Sequence, residues 1–380
     1  MDIDKRIKRW ILLGTIIGLI IGIDGKGYNL PPGPLDAYLL GQIEGSFSQI
    51  NRPEGIAFSP LGDLVAVANT YTNAVTIYEM SSVLTMADPN ISPITSLPFA
   101  GRPHDVSFSP DGNHLAVASR RFNKVMIHSR NAATGKFDIH PFSIIDASLG
   151  NIRMVAAVKY HPTKNELAIA DSWGNRVNIY RYEGKNYEDF PYQSIANDQV
   201  FGADGISFSS DGNLLAVSSH DTHNIMIFER DGELFSDQFI QILRGEETHC
   251  TYPHSSFFHP RDDSLVVSCA GGTTTLLYFK RLSVDTKPYF DPQPTRQFEI
   301  YNPAAIHLQR QIPSGGGVKG LAISPCLSMI GVCASDLSNA SRAIVFLSER
   351  MFDDDEFSNS ISPNTIEGCE LESFLDLAEY

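Results

Sequence analysis

Along most of the chain, short stretches in which apolar residues alternate with small or polar ones are followed by continuous apolar runs, and this order recurs. Six segments share it, beginning at Glu54 (EGIAFSPLGDLVAVANTYTNAVTIY), His104 (HDVSFSPDGNHLAVASRRFNKVMIH), Ala156 (AAVKYHPTKNELAIADSWGNRVNIY), Asp204 (DGISFSSDGNLLAVSSHDTHNIMIF), His254 and Lys319. Alternation, as in Ile56/Phe58 and Val106/Phe108, predicts a first strand. Turn pairs such as Asp111-Gly112 and Asp211-Gly212 follow. The apolar runs (LVAVAN, LAVAS, LAIAD, LLAVSS) are short enough for a second, fully buried strand. A second turn carries Asn73, Asn123, Asn175 or His223, and Asn tolerates a left-handed φ while bonding its own backbone. A third strand alternates again, and a weaker fourth lies in stretches such as Phe142–Ile145 and Phe239–Leu243.

Four antiparallel strands repeated at a period near 50 residues predict an all-β fold, a β-propeller of six four-stranded blades. The anchor after the first strand falls at Pro60, Pro110, Pro162, Ser210, Pro260 and Pro325. The longer last gap holds an insertion, and the count rises to seven if the segment Tyr289–Ile312 hides a degenerate blade. A spare strand near Tyr38–Glu44 is expected to pair with Ile344–Leu347 as the outer strand of the last blade and so close the ring. The expected organisation is a basic and apolar N-terminal segment (1–25), a Pro/Gly-rich linker (26–37), the propeller (38–350) and an acidic tail (351–380).

Composition narrows the class. The chain is 42% hydrophobic and 10% aromatic, as in a globular protein, and its net charge of −15 argues against nucleic-acid binding. Five cysteines, an odd number without a CxxC pair, argue against a disulfide framework and against a zinc-cysteine site. Cys269 and Cys333 fall in predicted strands and read as buried small hydrophobes.

Both ends carry further signals. Lys5, Arg6, Lys8 and Arg9 precede an uncharged run of 14 residues, Trp10 to Ile23. That length lies between a signal-peptide core and a spanning helix. The expectation is a membrane-anchored or exported protein, with a cytoplasmic one as the alternative if the run packs on the propeller. The stretch from Met351 holds nine acidic residues and no Lys or Arg, with Leu371, Phe374, Leu375 and Ala378 at helical spacing. It reads as a disordered tail able to bind a partner, or as a solubilising one.

Candidate chemistry collects where each first strand opens, because that strand lines the central channel. The six positions are Glu54, His104, Ala156, Asp204, His254 and Lys319, and Arg153 stands three residues ahead of the exception. Two carboxylates (Glu54, Asp204) and two imidazoles (His104, His254) suit a divalent metal, with Zn or Mn favoured by the histidines and Ca by the carboxylates. Channel mouths are also wet, so polar residues gather there without binding anything. A cluster at His220, Asp221 and His223 reads as a solvated turn. No Gly-x-Ser-x-Gly elbow is present.

The pattern FSPDGxxLxVAxxxxxNxVxIY, clearest over Phe108–Ile127, resembles the lactonase-like and YVTN-type propellers over residues 38–350, without the Gly-His and Trp-Asp pairs of WD repeats. Glu54-Gly55 and Asp204-Gly205 are also similar to the Glu-Gly and Asp-Gly elements of gluconolactonase/regucalcin-like propellers. That likeness implies a metal activating water against a lactone, with Asp204 as a candidate base. An Asn ligand of that family has no counterpart in this ring, so His104 or His254 would take its place. Two functions are expected. The first is a binding or scaffold propeller presenting its mouth and blade loops to a protein or small ligand. The second is a metal-dependent lactonase-like hydrolase.

Overall fold

Second strands that open with an apolar run and end in small polar residues, such as Leu64–Asn69 and Leu214–Ser219, are buried along their whole length. Each is the centre of an antiparallel sheet whose two faces meet neighbouring sheets. The computed structural model describes residues 39–85, 90–98, 100–271, 275–284, 287–299, 317–325, 329–335 and 342–352. The apolar run 10–23, the linker 26–37, residues 300–316 of the insertion and the tail from 353 lie outside these.

The described residues form six four-stranded antiparallel sheets. Blades 1 to 5 occupy residues 53–97, 103–146, 155–196, 203–244 and 253–299, with strands in chain order from the axis outward. Blade 6 takes its inner three strands, Gly317–Ile323, Met329–Ser335 and Arg342–Ser348, from the C-terminal part. Its outer strand is Leu39–Ile43. Leu39 pairs with Leu347 and Ile43 with Ile344, so the ring closes with the expected partner segment.

Each inner strand packs against the inner strands before and after it, including blade 6 against blade 1. Six hydrophobic clusters hold the ring, one in each blade-to-blade interface. No seventh blade interrupts the described ring. From the insertion, Arg296–Glu299 is the outer strand of blade 5, and Lys287–Phe290 pairs with Arg281–Val284 in a side hairpin.

Asn73, Asn123, Asn175 and His223 all adopt positive φ, between 52° and 60°. Their side chains do not serve their own turns. Asn73 accepts from the Arg102 amide (2.7 Å), Asn123 from Val155 (3.0 Å), Asn175 from Gly202 (3.0 Å) and His223 from Tyr252 (3.2 Å). Each thus fixes the chain entering the next blade's inner strand. The repeat predicts the turn residue but not this partner, which lies about 30 residues on, at the entry to the next blade.

The opposite ends of the blades are linked too. His161 of blade 3 donates from Nε2 to the Gly212 carbonyl of blade 4 (3.1 Å), while its Nδ1 accepts from the amides of Thr163 and Lys164. The two bonds accepted by Nδ1 need the neutral ring, and burial also pushes its pKa down. A histidine depressed in the folded state contributes stability that is complete above its unfolded pKa of about 6.5 and is lost as pH falls below it. The urea midpoint should therefore drop between pH 7.5 and 5, and His161→Asn should flatten that slope. An unchanged slope in the variant would assign the acid sensitivity elsewhere.

Candidate functional site

The inner strands begin with Pro53, Pro103, Val155, Ala203, Pro253 and Gly317, one or two residues before the ring residues. In every blade the pairing of inner and second strand slips at the ring position. In blade 1, Pro53 faces Asn69 and Gly55 faces Ala68, so Glu54 has no partner. The same slip frees His104, Asp204 and His254, and broader ones span Ala156 and Lys319. A bulge bends the strand and re-aims the extra side chain. These six positions are bulge residues, not strand openers.

The residue after the bulge controls how closely blades approach. A Cβ on Gly55 would stand 2.6 Å from the Asp105 Cα, and one on Gly205 would stand 2.5 Å from the His254 carbonyl oxygen. Only glycine allows that spacing, which holds the ring residues of neighbouring blades together.

Glu54, His104, Asp204 and His254 are all buried, each with at most 8% of its surface exposed. His254 Nε2 lies 3.4 Å from Glu54 Oε2 and 3.4 Å from Asp204 Oδ2, bridging the two carboxylates. His104 Nε2 is 3.9 Å from Asp204 Oδ1, and its ring stacks on that of His254 at 5.3 Å. Lys319 Nζ approaches Glu54 Oε2 at 3.9 Å, and Arg52 Nε donates to Glu54 Oε1 at 3.2 Å. Ala156 contributes its carbonyl, which accepts from His104 Nδ1 at 2.9 Å. A carbonyl can only accept, so Nδ1 carries the proton and the lone pair of Nε2 faces the cluster.

Burial alone would raise the Glu54 carboxyl. The His254 hydrogen bond and the Lys319 charge outweigh it and hold Glu54 well below the carboxylate range. Burial would likewise raise Asp204, but His254, His104 and Arg120 pull it down. Burial draws His104 down to about 4, against the pull of Asp204. At neutral pH the cluster is two carboxylates and at least one neutral imidazole.

This set fits a divalent cation. One donor atom each from Glu54, His104 and His254 lie within 4.8 Å of one another. Asp204 Oδ1 is buried beside them without a hydrogen-bond donor. His104 has the orientation of a metal-ligating imidazole, its second nitrogen fixed by a carbonyl.

Arg153 is not gathered in. It stays exposed, and its backbone amide donates to Asp171. Its place is taken by Arg120, from the turn between the second and third strands of blade 2, whose charge acts on both His104 and Asp204. Arg120 donates to the Met154 sulfur at 3.2 Å and makes no ion pair among the described residues; nor do Arg102, Arg121 and Arg153 around it. Arg130, Arg181, Arg230 and Arg281, at the far ends of the blades, all meet carboxylates. The doublet Arg120-Arg121 in an acidic chain was the available signal. His220 and Asp221 pair with each other at 3.0 Å, as a polar turn would.

Residues 38–144 match the family model described as Lactonase, 7-bladed beta-propeller. The matched span takes in the closing strand, blade 1 and most of blade 2, including Glu54 and His104. The chain is a β-propeller, and this part of it is similar to the lactonase family. Its described ring differs from that family description in having six blades. No curated protein matches the chain.

One expectation drawn from the cysteine count is overturned. Cys250 and Cys269 form a disulfide, with Cα atoms 5.4 Å apart. An odd total excludes a fully paired set, not a single bridge between residues that the blade brings together. Cys333 is buried and free, as expected.

Proposed function

We propose that the channel cluster holds a divalent metal and that the protein is a lactonase-like hydrolase working at that mouth. The observation that carries this reading is the joint burial of Glu54, His104, Asp204 and His254. Removing ionisable groups from water costs several kcal/mol each, and apolar side chains would fill a purely structural channel more cheaply. Clustered buried groups with shifted titration are the mark of a functional site.

In this reading Glu54, His104 and His254 hold the ion, with Asp204 beside them. A bound divalent ion supplies Lewis acidity toward a carbonyl oxygen and lowers the pKa of water. The protein's own residues do the rest. Ala156 fixes the His104 tautomer, His254 and Lys319 keep Glu54 ionised, and Asp204 Oδ1 is free to accept a proton from an attacking water. The unpaired arginines around Arg120 favour a substrate carrying negative charge. The disulfide supports an oxidising compartment, hence the exported or membrane-anchored setting. Among the described residues no helix is long and apolar enough to cross a membrane.

The test is thermal unfolding and metal analysis of the full chain with Zn, Mn, Ca and Mg, followed by lactone hydrolysis with the best ion. At about 100 times its dissociation constant, one ion should stabilise by roughly 2.7 kcal/mol. That gain and any hydrolysis should vanish in Glu54→Ala/Asp204→Ala. No gain with any ion would overturn the metal site. A gain without turnover of any lactone would leave a metal-bearing binding module, the scaffold reading.

A further inference from the structure

The end of the ring opposite the mouth holds a second cavity, between blades 2 and 3. Its volume is about 280 Å³, and its walls include Tyr160, Tyr182, Tyr187, Phe142 and His114, with Asp111 among them. It is separated from the channel cluster by the length of an inner strand, about 20 Å for six residues. It therefore belongs to neither the proposed active site nor its approach.

Five rings from four places in the fold converge here. Tyr160 ends the inner strand of blade 3 and is held by its amide donating to Ser107 Oγ at 3.1 Å. Tyr182 and Tyr187 flank the turn beyond that blade's third strand and pair through their backbones. Their rings lie 5.2 Å apart, tilted by 49°. His114 and Phe142 come from blade 2 with ring centres 4.8 Å apart. No large aliphatic side chain is among the lining residues.

Asp111 is the carboxylate of the lining, and Lys164 is the cation beside it. Asp111 accepts hydrogen bonds from Ser109 Oγ, the Asn113 amide and Asn113 Nδ2. Burial mainly, and the Asp111 charge in addition, push the phenols of Tyr160 and Tyr187 up, the latter to about 12. Neutral rings present the negative faces of their quadrupoles. Lys164, the cation in the wall, is already turned toward Glu233 at 3.5 Å. The same tyrosine-rich loop satisfies another cation in this way, since the Arg181 guanidinium sits 3.3 Å from the centre of the Tyr192 ring.

We propose that this cavity is a binding site for a small organic cation of the quaternary or methylated ammonium class, held by the faces of Tyr160, Tyr182 and Tyr187 and by the Asp111 carboxylate. Cation–π attraction strengthens with desolvation, and a methylated ammonium sheds its water more readily than Lys or a metal ion. A pocket near 300 Å³ is at the small end for ligands, which suits such a head group.

The probe is choline, titrated into the full-length protein by calorimetry, with 3,3-dimethyl-1-butanol as the neutral isostere. Choline should bind saturably, and the isostere about tenfold or more weakly, the scale of one desolvated cation–π contact. Tyr187→Ala and Tyr182→Leu should each weaken choline about tenfold. Tyr187→Phe, which keeps the ring, should retain binding and so separates loss of the site from loss of the fold. Metal-induced stabilisation at the channel should survive in all three. Equal binding of choline and the isostere would make the cavity merely apolar and overturn the proposal. So would the absence of saturable choline binding, or binding indifferent to Tyr187→Ala.

Discussion

Arg230→Met should destabilise the ring by about 3–5 kcal/mol, the cost of stranding a buried charge. Arg230 ends the regular part of the third strand of blade 4, with its side chain only 3% exposed. It reaches across to blade 3, where its Nη2 meets Glu166 Oε2 at 2.6 Å, and Glu166 is itself 4% exposed. Nη1 donates to the Glu233 carbonyl at 2.7 Å, and the guanidinium lies 4.4 Å from the centre of the Phe235 ring. Methionine replaces the stem and its packing but leaves the Glu166 carboxylate in the interface. The guanidinium of Arg181, 3.6 Å from Glu166 Oε1, is the one compensating charge nearby. Adding Glu166→Gln to Arg230→Met should return most of the loss, because the pair is then replaced and not broken. Urea midpoints with an unchanged slope would measure both effects. A loss below about 1 kcal/mol in the single variant would show that Arg181 alone satisfies Glu166.

Arg230 marks what a repeat shows and what it hides. Periodicity makes Glu54, His104, Asp204 and His254 equivalent, so their convergence was legible once the inner strand was placed at the axis. It was equally able to align Leu39–Ile43 with the last blade, because a strand with one unpaired edge must find another. What it could not give is departure from the ladder. The bulges at Pro53/Gly55 and its equivalents are set by contact between inner strands of different blades, and those contacts are one period away in sequence. The partners of Asn73 and Asn123, 29 and 32 residues on, were hidden because they too belong to the next blade. Arg120 was missed because it belongs to a turn, and turns in this chain vary from blade to blade while the strands do not. Arg153 was preferred on linear proximity, which a bulge does not respect.

Charge follows the same geometry. At the far ends Arg130 pairs with Asp63 across blades 1 and 2 and Arg230 with Glu166 across blades 3 and 4, while Arg281 pairs with Asp263 inside blade 5. At the mouth the cations around Arg120 are left without carboxylates, although the chain carries a net −15. Among the described residues, an acidic protein thus places four arginines without ion pairs near its buried carboxylate–imidazole cluster. That arrangement would draw an anionic ligand inward and hold it at the cluster's edge.

Opening the Cys250–Cys269 bridge should cost about 3 kcal/mol, on the loop-entropy scale for a closure of this size. The two cysteines are 19 residues apart. Cys269 ends the second strand of blade 5, where it faces Pro253, the first residue of the inner strand. Cys250 lies in the segment entering that strand. The bridge therefore pins both sides of the bulge that presents His254. Cys250→Ala and Cys269→Ala should each lower stability by a similar amount, and the double variant should add little, since either change alone opens the loop. Thiol titration of the unfolded chain before and after reduction should differ by two groups. The consequence for the site is separable from the global loss. A less constrained His254 should bind the channel metal more weakly even under conditions where the variant is fully folded, because preorganisation of one ligand is lost. Unchanged metal affinity in a folded Cys250→Ala protein would mean that the His223 contact to Tyr252 (3.2 Å) suffices to hold the strand entry. Lowered affinity would make the bridge part of the apparatus that sets the cluster's geometry.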